Sequence, residues 1–75
     1  MNNETLRTVG ASDLIEMIDF PGGYAFVAHV QGEEFLLSES GNVLVYEDYS
    51  EFLNLIKGAI RPGVPVRFPP EFYDF

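Results

Sequence analysis

The side chains able to do chemistry in this chain are one histidine, twelve carboxylates and little else. His29 has no second histidine to work with, so no His-based zinc site can be assembled, and a general base here would act with few helpers. If Gln31-Gly32 forms a two-residue hairpin turn, Glu34 lies across from His29 and favours its imidazolium form. That pair reads as a mild pH sensor or as a half-exposed strand histidine beside a carboxylate, and the second is the ordinary case. Glu33 and Glu34 are adjacent on one strand, so they point to opposite faces and do not act as a pair. Glu47, Asp48 and Glu51 gather where a helix begins and can weakly hold a hard cation such as Mg²⁺. No calcium-type ligand spacing surrounds them, however, and helix capping accounts for Asp48 and Glu51.

Cysteine is absent, which removes thiol nucleophiles, thiolate metal sites and disulfides and fits a reducing compartment. Gly22-Gly23, Gly32, Gly41, Gly58 and Gly63 fall at turns and at a helix end, without the following Lys or Ser/Thr that a phosphate cradle needs. No nucleophile elbow, Walker motif or zinc-protease signature occurs. The expectation is a protein that is not an enzyme, with no cofactor and no metal-ligating residues.

Charge narrows the partners. The 75 residues carry 12 acids against 4 bases, a formal net charge of -8. Between Thr8 and Ile56 lie Asp13, Glu16, Asp19, Glu33, Glu34, Glu39, Glu47, Asp48 and Glu51, with no Lys or Arg among them; Arg7, Lys57, Arg61 and Arg67 all fall outside. Such a field repels nucleic-acid phosphates and anionic lipid headgroups and attracts basic surfaces. Met1-Asn2-Asn3-Glu4 shows neither the basic nor the apolar region of a signal peptide, and no run approaches the roughly 18 apolar residues of a membrane span. A cytoplasmic location is expected.

Hydrophobic residues at 47% and aromatics at 15% require a folded core, and the length allows one small domain, 1–75, with 1–7 expected to be disordered. In "GGYAFVAHVQGEEFLLSESGNVLVYED", three apolar runs are separated by the turn signals "QG" and "SGN" at hairpin spacing. The first turn sets Val30 by Glu33, Ala28 by Phe35, Phe26 by Leu37 and Tyr24 by Glu39 on one face. The other face carries His29 by Glu34, Val27 by Leu36 and Ala25 by Ser38. A third strand covers 43–47. Asp48 then caps a helix, and Glu51 completes an acidic capping box. Tyr49, Phe52, Leu53, Ile56 and Ile60 form its apolar stripe, and "RPG" ends it. "VPVRF" is a last short strand, placed at a sheet edge by Pro65. Segment 12–19 reads as a strand turning through Pro21-Gly22 or as a short helix, and the Pro-Gly joint favours the strand.

The expected fold class is α+β: a small, twisted, mainly antiparallel β-meander of four to five strands with one helix packed on one face, in the order β-β-β-β-α-β. Phe26, Leu37, Val45, Phe52, Leu53 and Ile56 should form its core. One helix covers one face only, which leaves the other to the termini, a second copy or a partner.

The run "GGYAFVAHVQGEEFLLSESGNVLVYEDYSEFLNLI", with a short strand and the ending "FYDF" after it, resembles a small gammaproteobacterial family known only as a domain of unknown function. The shared features are a Gly-Gly-aromatic entry to a strand, a "G-N-V" hairpin turn and a helix entered after an acidic or serine residue. They cover about half the chain. The family ends in "YDEM", where this chain stops at Phe75. The resemblance implies a strand-rich bacterial domain and brings no activity, cofactor or site residue.

These features describe a non-enzymatic binding module that meets a macromolecular partner through its acidic face or its open sheet face. The alternatives are an inhibitor or nucleic-acid mimic that occupies a basic groove, and a structural homodimer. The candidate partner-binding residues are Glu33, Glu34, Glu47, Asp48 and Glu51, with Phe72, Tyr73 and Phe75 from the aromatic tail 69–75. That tail should either fold back over the bare sheet face or dock on a partner, and fold-back is favoured because exposed rings are an aggregation liability. The partner is a protein with a basic surface or a second copy, without nucleic acid or membrane. Because phosphate contact needs Lys or Arg, fluorescence anisotropy with a random duplex or RNA at near-physiological salt should show no submicromolar binding.

Overall fold

The computed structural model describes residues 1–73. The alternating run LIEMIDF forms strand β1 (Leu14–Phe20), and Pro21-Gly22 turns it into β2 (Gly23–Val30). The two pair antiparallel from Leu14↔His29 to Phe20↔Gly23, so the strand alternative for 12–19 is the one adopted. Gln31 and Gly32, with φ of 50° and 84°, make the primed two-residue turn whose twist suits a hairpin. The chain then returns as β3 (Glu33–Leu36) with Val30↔Glu33, His29↔Glu34, Ala28↔Phe35 and Val27↔Leu36, the register the turn requires.

Beyond Leu36 the expected register is not kept. The Leu37 N–H still donates to the Phe26 carbonyl at 2.9 Å. The chain then leaves as a separate small hairpin, β4 (Ser38–Glu39) and β5 (Asn42–Val43). Tyr24 therefore faces Tyr46 instead of Glu39, with reciprocal backbone hydrogen bonds of 2.9 and 3.0 Å, and Ser38 pairs with Val43 instead of facing Ala25. The strand expected over 43–47 reduces to β5 and this single bridge. Gly23 makes the replacement possible, because a Cβ there would sit 2.3 Å from the Tyr46 carbonyl oxygen.

Asp48 caps α2 (Tyr49–Ile56), accepting from the Ser50 N–H at 3.0 Å. β6 (Val66–Arg67) lies parallel to β1, with Ile15↔Val66 and Glu16↔Arg67. The sheet is therefore mixed, in the order β3-β2-β1-β6. Pro65 sits beside this edge and uses its carbonyl to accept from the Ile15 N–H at 3.1 Å.

A second helix, α1 (Asn3–Ala11), occupies much of the segment expected to be disordered. Asn2 caps it, its side chain accepting from the Thr5 N–H at 2.8 Å. Ser12 closes it, donating through both N–H and Oγ to the Val9 carbonyl at 3.1 and 2.6 Å. Arg61 donates to the Ser12 carbonyl at 2.7 Å and pairs with Asp13 at 3.0 Å, which ties this joint to the end of the α2 region. The order of helices and sheet strands thus begins with a helix that the expected β-β-β-β-α-β lacks. Among the described residues, no helix is long and apolar enough to cross a membrane.

Ile15 and Met17 of β1 and Phe26 and Ala28 of β2 point to the same side of the sheet. There they meet Val9 of α1, Phe52 and Ile56 of α2, and Leu37. Both helices pack on this side. Of the expected core, Phe26, Leu37, Phe52 and Ile56 are buried and Leu53 is half-buried against them. Val45 lies outside the buried cluster; it reaches toward Gly22.

The tail turns back through a 3-10 turn, Pro70–Phe72. The Phe72 ring lies 6.0 Å from Tyr24, 5.7 Å from Tyr49 and 5.6 Å from Phe68, and the Tyr73 hydroxyl accepts from the Phe68 N–H at 3.0 Å. Fold-back occurs, but onto the helix-bearing side. Tyr49, in the first turn of α2, already stands beside Tyr24, and β6 delivers the chain to that corner. Phe75 lies outside the described residues.

Phe52→Ala should cost about 3–5 kcal/mol, read as a lowered urea midpoint. Leu55→Ala on the same helix, at a residue 47% exposed, should stay within about 0.5 kcal/mol.

Candidate functional site on the open face of the sheet

Period-two alternation makes the side of the sheet away from the helices chemically different from the core. It carries Leu14, Glu16 and Ile18 from β1, Ala25, Val27 and His29 from β2, Glu34 and Leu36 from β3, and Arg67 from β6. Leu14, Ile18 and Val27 are half-buried, and Leu36 is 42% exposed although apolar.

Within this apolar surround a polar group converges on His29. Its Nε2 lies 3.0 Å from Glu16 Oε1 and 3.7 Å from Glu34 Oε1, and Arg67 Nη2 lies 3.3 Å from the same Glu16 oxygen. The side chains of Glu16 and His29 are 28% and 22% exposed, whereas Glu34 is 67% exposed. The hydrogen bond with His29 is the main reason the Glu16 carboxyl sits below its ordinary value; partial burial opposes this, and Arg67 adds to it. Among the described residues, Glu16, His29 and Glu34 form a group of three donors whose ligating atoms all lie within 4.8 Å of one another. Such a group can hold a proton or a cation between its members.

The expected cross-strand pair of His29 and Glu34 is present as the longer contact. The closer partner, Glu16, is the member of the cluster that inspection of the hairpin 24–39 alone misses. Its signal lay in the Pro21-Gly22 turn: a two-residue loop there pairs Leu14 with His29 and sets Glu16 on the same face, one diagonal step away.

The other candidate residues do not assemble into one acidic surface. Glu33 points to the side opposite Glu34. Glu47, Asp48 and Glu51 stand at the entrance of α2, in the helical layer, and do not form a three-donor group like that at His29. Phe72 is packed among rings, and Tyr73 is exposed beside Phe68. Where the tail approaches β1, a hydrogen bond between Asp19 and Glu71 pushes the Asp19 carboxyl up and the Glu71 carboxyl down.

Comparison of the chain with family models, with curated protein sequences and with solved structures yields no match.

Asp48 has a structural task. Its carboxylate accepts from the Ser50 hydroxyl at 2.7 Å and from the Ser50 N–H, and these bonds, the hydroxyl first, hold its carboxyl below the ordinary value. A depressed folded value means that the stabilisation is complete above the unfolded value of about 3.9 and is lost as pH falls through the folded one. Asp48→Ala should therefore lower Tm near neutral pH, with the gap from the native chain closing in acid, as followed by circular dichroism melts.

Proposed function

We propose that the chain is a non-enzymatic binding module that engages a protein partner through the open face of its sheet. One observation carries this reading: both helices pack on the same side, which leaves Leu36 exposed and Leu14, Ile18 and Val27 half-buried around charged groups on the other. An exposed apolar patch with a polar rim is the usual form of a recognition surface. The charge balance selects a partner with basic groups around an apolar centre, since those groups would complement Glu16, Glu34 and the overall charge of -8. A second copy is less well matched, because self-association would bring two strongly acidic surfaces together. The nucleic-acid mimic draws less support from the fold, since the carboxylates of β3 and α2 are divided between the two sides of the sheet.

A photo-crosslinking residue placed at position 36 should capture the partner, whereas the same residue at position 55, exposed on α2, should not. Affinity for the captured protein should fall as salt is raised, because screening acts over about 8 Å at physiological ionic strength. Glu34→Lys should slow association. Capture at 55 in place of 36, or affinity indifferent to both salt and Glu34→Lys, would overturn the assignment.

A further inference from the structure

We propose that Glu16, His29 and Glu34 form a mononuclear zinc site on the open sheet face, with a coordination position left free toward solvent. The inference is independent of the protein-partner reading and rests on donor type, spacing and the rigidity of the elements that hold the donors.

Zinc binds imidazole nitrogen and carboxylate oxygen at about 2.0–2.2 Å, which places two donors of a tetrahedral ion about 3.4 Å apart. The two separations at His29 Nε2, 3.0 Å to Glu16 and 3.7 Å to Glu34, bracket that value. All three ligating atoms fall within 4.8 Å, so small side-chain rotations seat the ion without backbone movement. The donors come from three adjacent strands, and a two-residue turn joins each successive pair. A loop-borne set would lose more freedom on binding.

The chemistry of the set selects the ion. A nitrogen donor disfavours Mg²⁺ and Ca²⁺, which take oxygen ligands, and suits zinc and its transition-metal neighbours. Two carboxylates balance the ion's double charge, and binding relieves their mutual repulsion. The ion would replace the proton between Nε2 and Glu16. Arg67, at 3.3 Å from Glu16 Oε1, remains as an outer contact that orients that carboxylate, as hydrogen-bonding groups around metal ligands commonly do. Glu16 and His29 are mostly covered, whereas Glu34 is open, so the free position faces outward.

A single histidine cannot by itself assemble a His-based zinc site. The fold removes that objection by supplying carboxylates from β1 and β3 in place of further imidazoles.

Isothermal titration of the chelator-treated full chain with ZnCl₂ and with MgCl₂ tests the site. The expected result is one zinc per chain, bound at least about tenfold more tightly than magnesium, with Tm raised in proportion to saturation. His29→Gln and Glu34→Gln should each weaken zinc binding by roughly tenfold or more, a typical cost of disturbing a metal site, with an unchanged circular dichroism spectrum. Glu47→Gln, at the α2 entrance, should bind as the native chain does. A shift of the His29 ring nitrogens in NMR on adding zinc is a second readout that does not depend on the variants. No binding by the folded chain, or binding that persists in His29→Gln with no shift of the ring, would show the cluster to be an ion-pair group alone and overturn the proposal.

Discussion

The contact on which the rest of the structure depends is that between Phe26 and Phe52. Their rings lie parallel within 8° at a centroid separation of 3.6 Å. Face-to-face stacking is not the arrangement that ring quadrupoles favour, so burial holds the pair together: both residues are completely buried. Tyr46 closes the cluster, tilted against both rings at 6.1 and 5.6 Å. This contact fixes α2 on the side of the sheet to which the even-numbered residues of β2 point. Its companion, Val9 of α1, is buried in the same cluster. With both helices committed to that side, Val27 and His29 of β2 are left half-buried on the other.

The same backbone therefore builds two surfaces with opposite demands. In "AFVAH", Phe26 and Ala28 enter the core, whereas Val27 and His29 stand half-buried on the other face, where Ala25 beside them is fully covered. A one-residue slip of β2 against either neighbour would exchange these sets, burying a histidine and exposing a phenylalanine. The two tight turns prevent the slip. Gln31 and Gly32 hold β3 in place, and Pro21-Gly22 holds β1; the meeting of Glu16, His29 and Glu34 needs both. Fold stability and the geometry of the polar cluster are thus set by the same constraint, which is why a small domain can keep three separate strands' side chains within bonding reach.

What could be read from the sequence follows from how local each signal is. The Gln31-Gly32 turn, the apolar stripe of α2, the Asp48 cap and the edge position of Pro65 depend on residues a few positions apart, and each was legible. The α1 helix was not, because only Thr5 and Val9 are buried along it, and two residues are too few to show a periodicity. The excursion 38–43 was hidden for a different reason. Its turn at Ser40-Gly41 was visible, but the decision to pair Tyr24 with Tyr46 is made by the space above Gly23, a tertiary fact. The return of the tail was legible in its rings but the side it covers was not, since the corner formed by Tyr24, Tyr49 and Phe68 exists only after α2 has docked. Of the candidate site, Glu34 was legible through the hairpin, whereas Glu16 needed the β1–β2 register to be carried through to its side-chain neighbours.

Net charge proved a weaker guide to a surface than strand geometry. Nine acids without an intervening base suggest one acidic face, yet alternation sends Glu33 and Glu34 apart, the helix start takes Asp48 as a cap, and Asp13 is neutralised by Arg61. Carboxylates scattered over both sides provide a long-range attraction for basic molecules but little discrimination among them. Discrimination needs groups held at fixed separations, and on the open face these are Glu16, His29, Glu34 and Arg67, set among half-covered apolar side chains. Long-range charge and fixed geometry accordingly reside in different residues: the first in the whole acidic complement, the second in four side chains that four strands bring together.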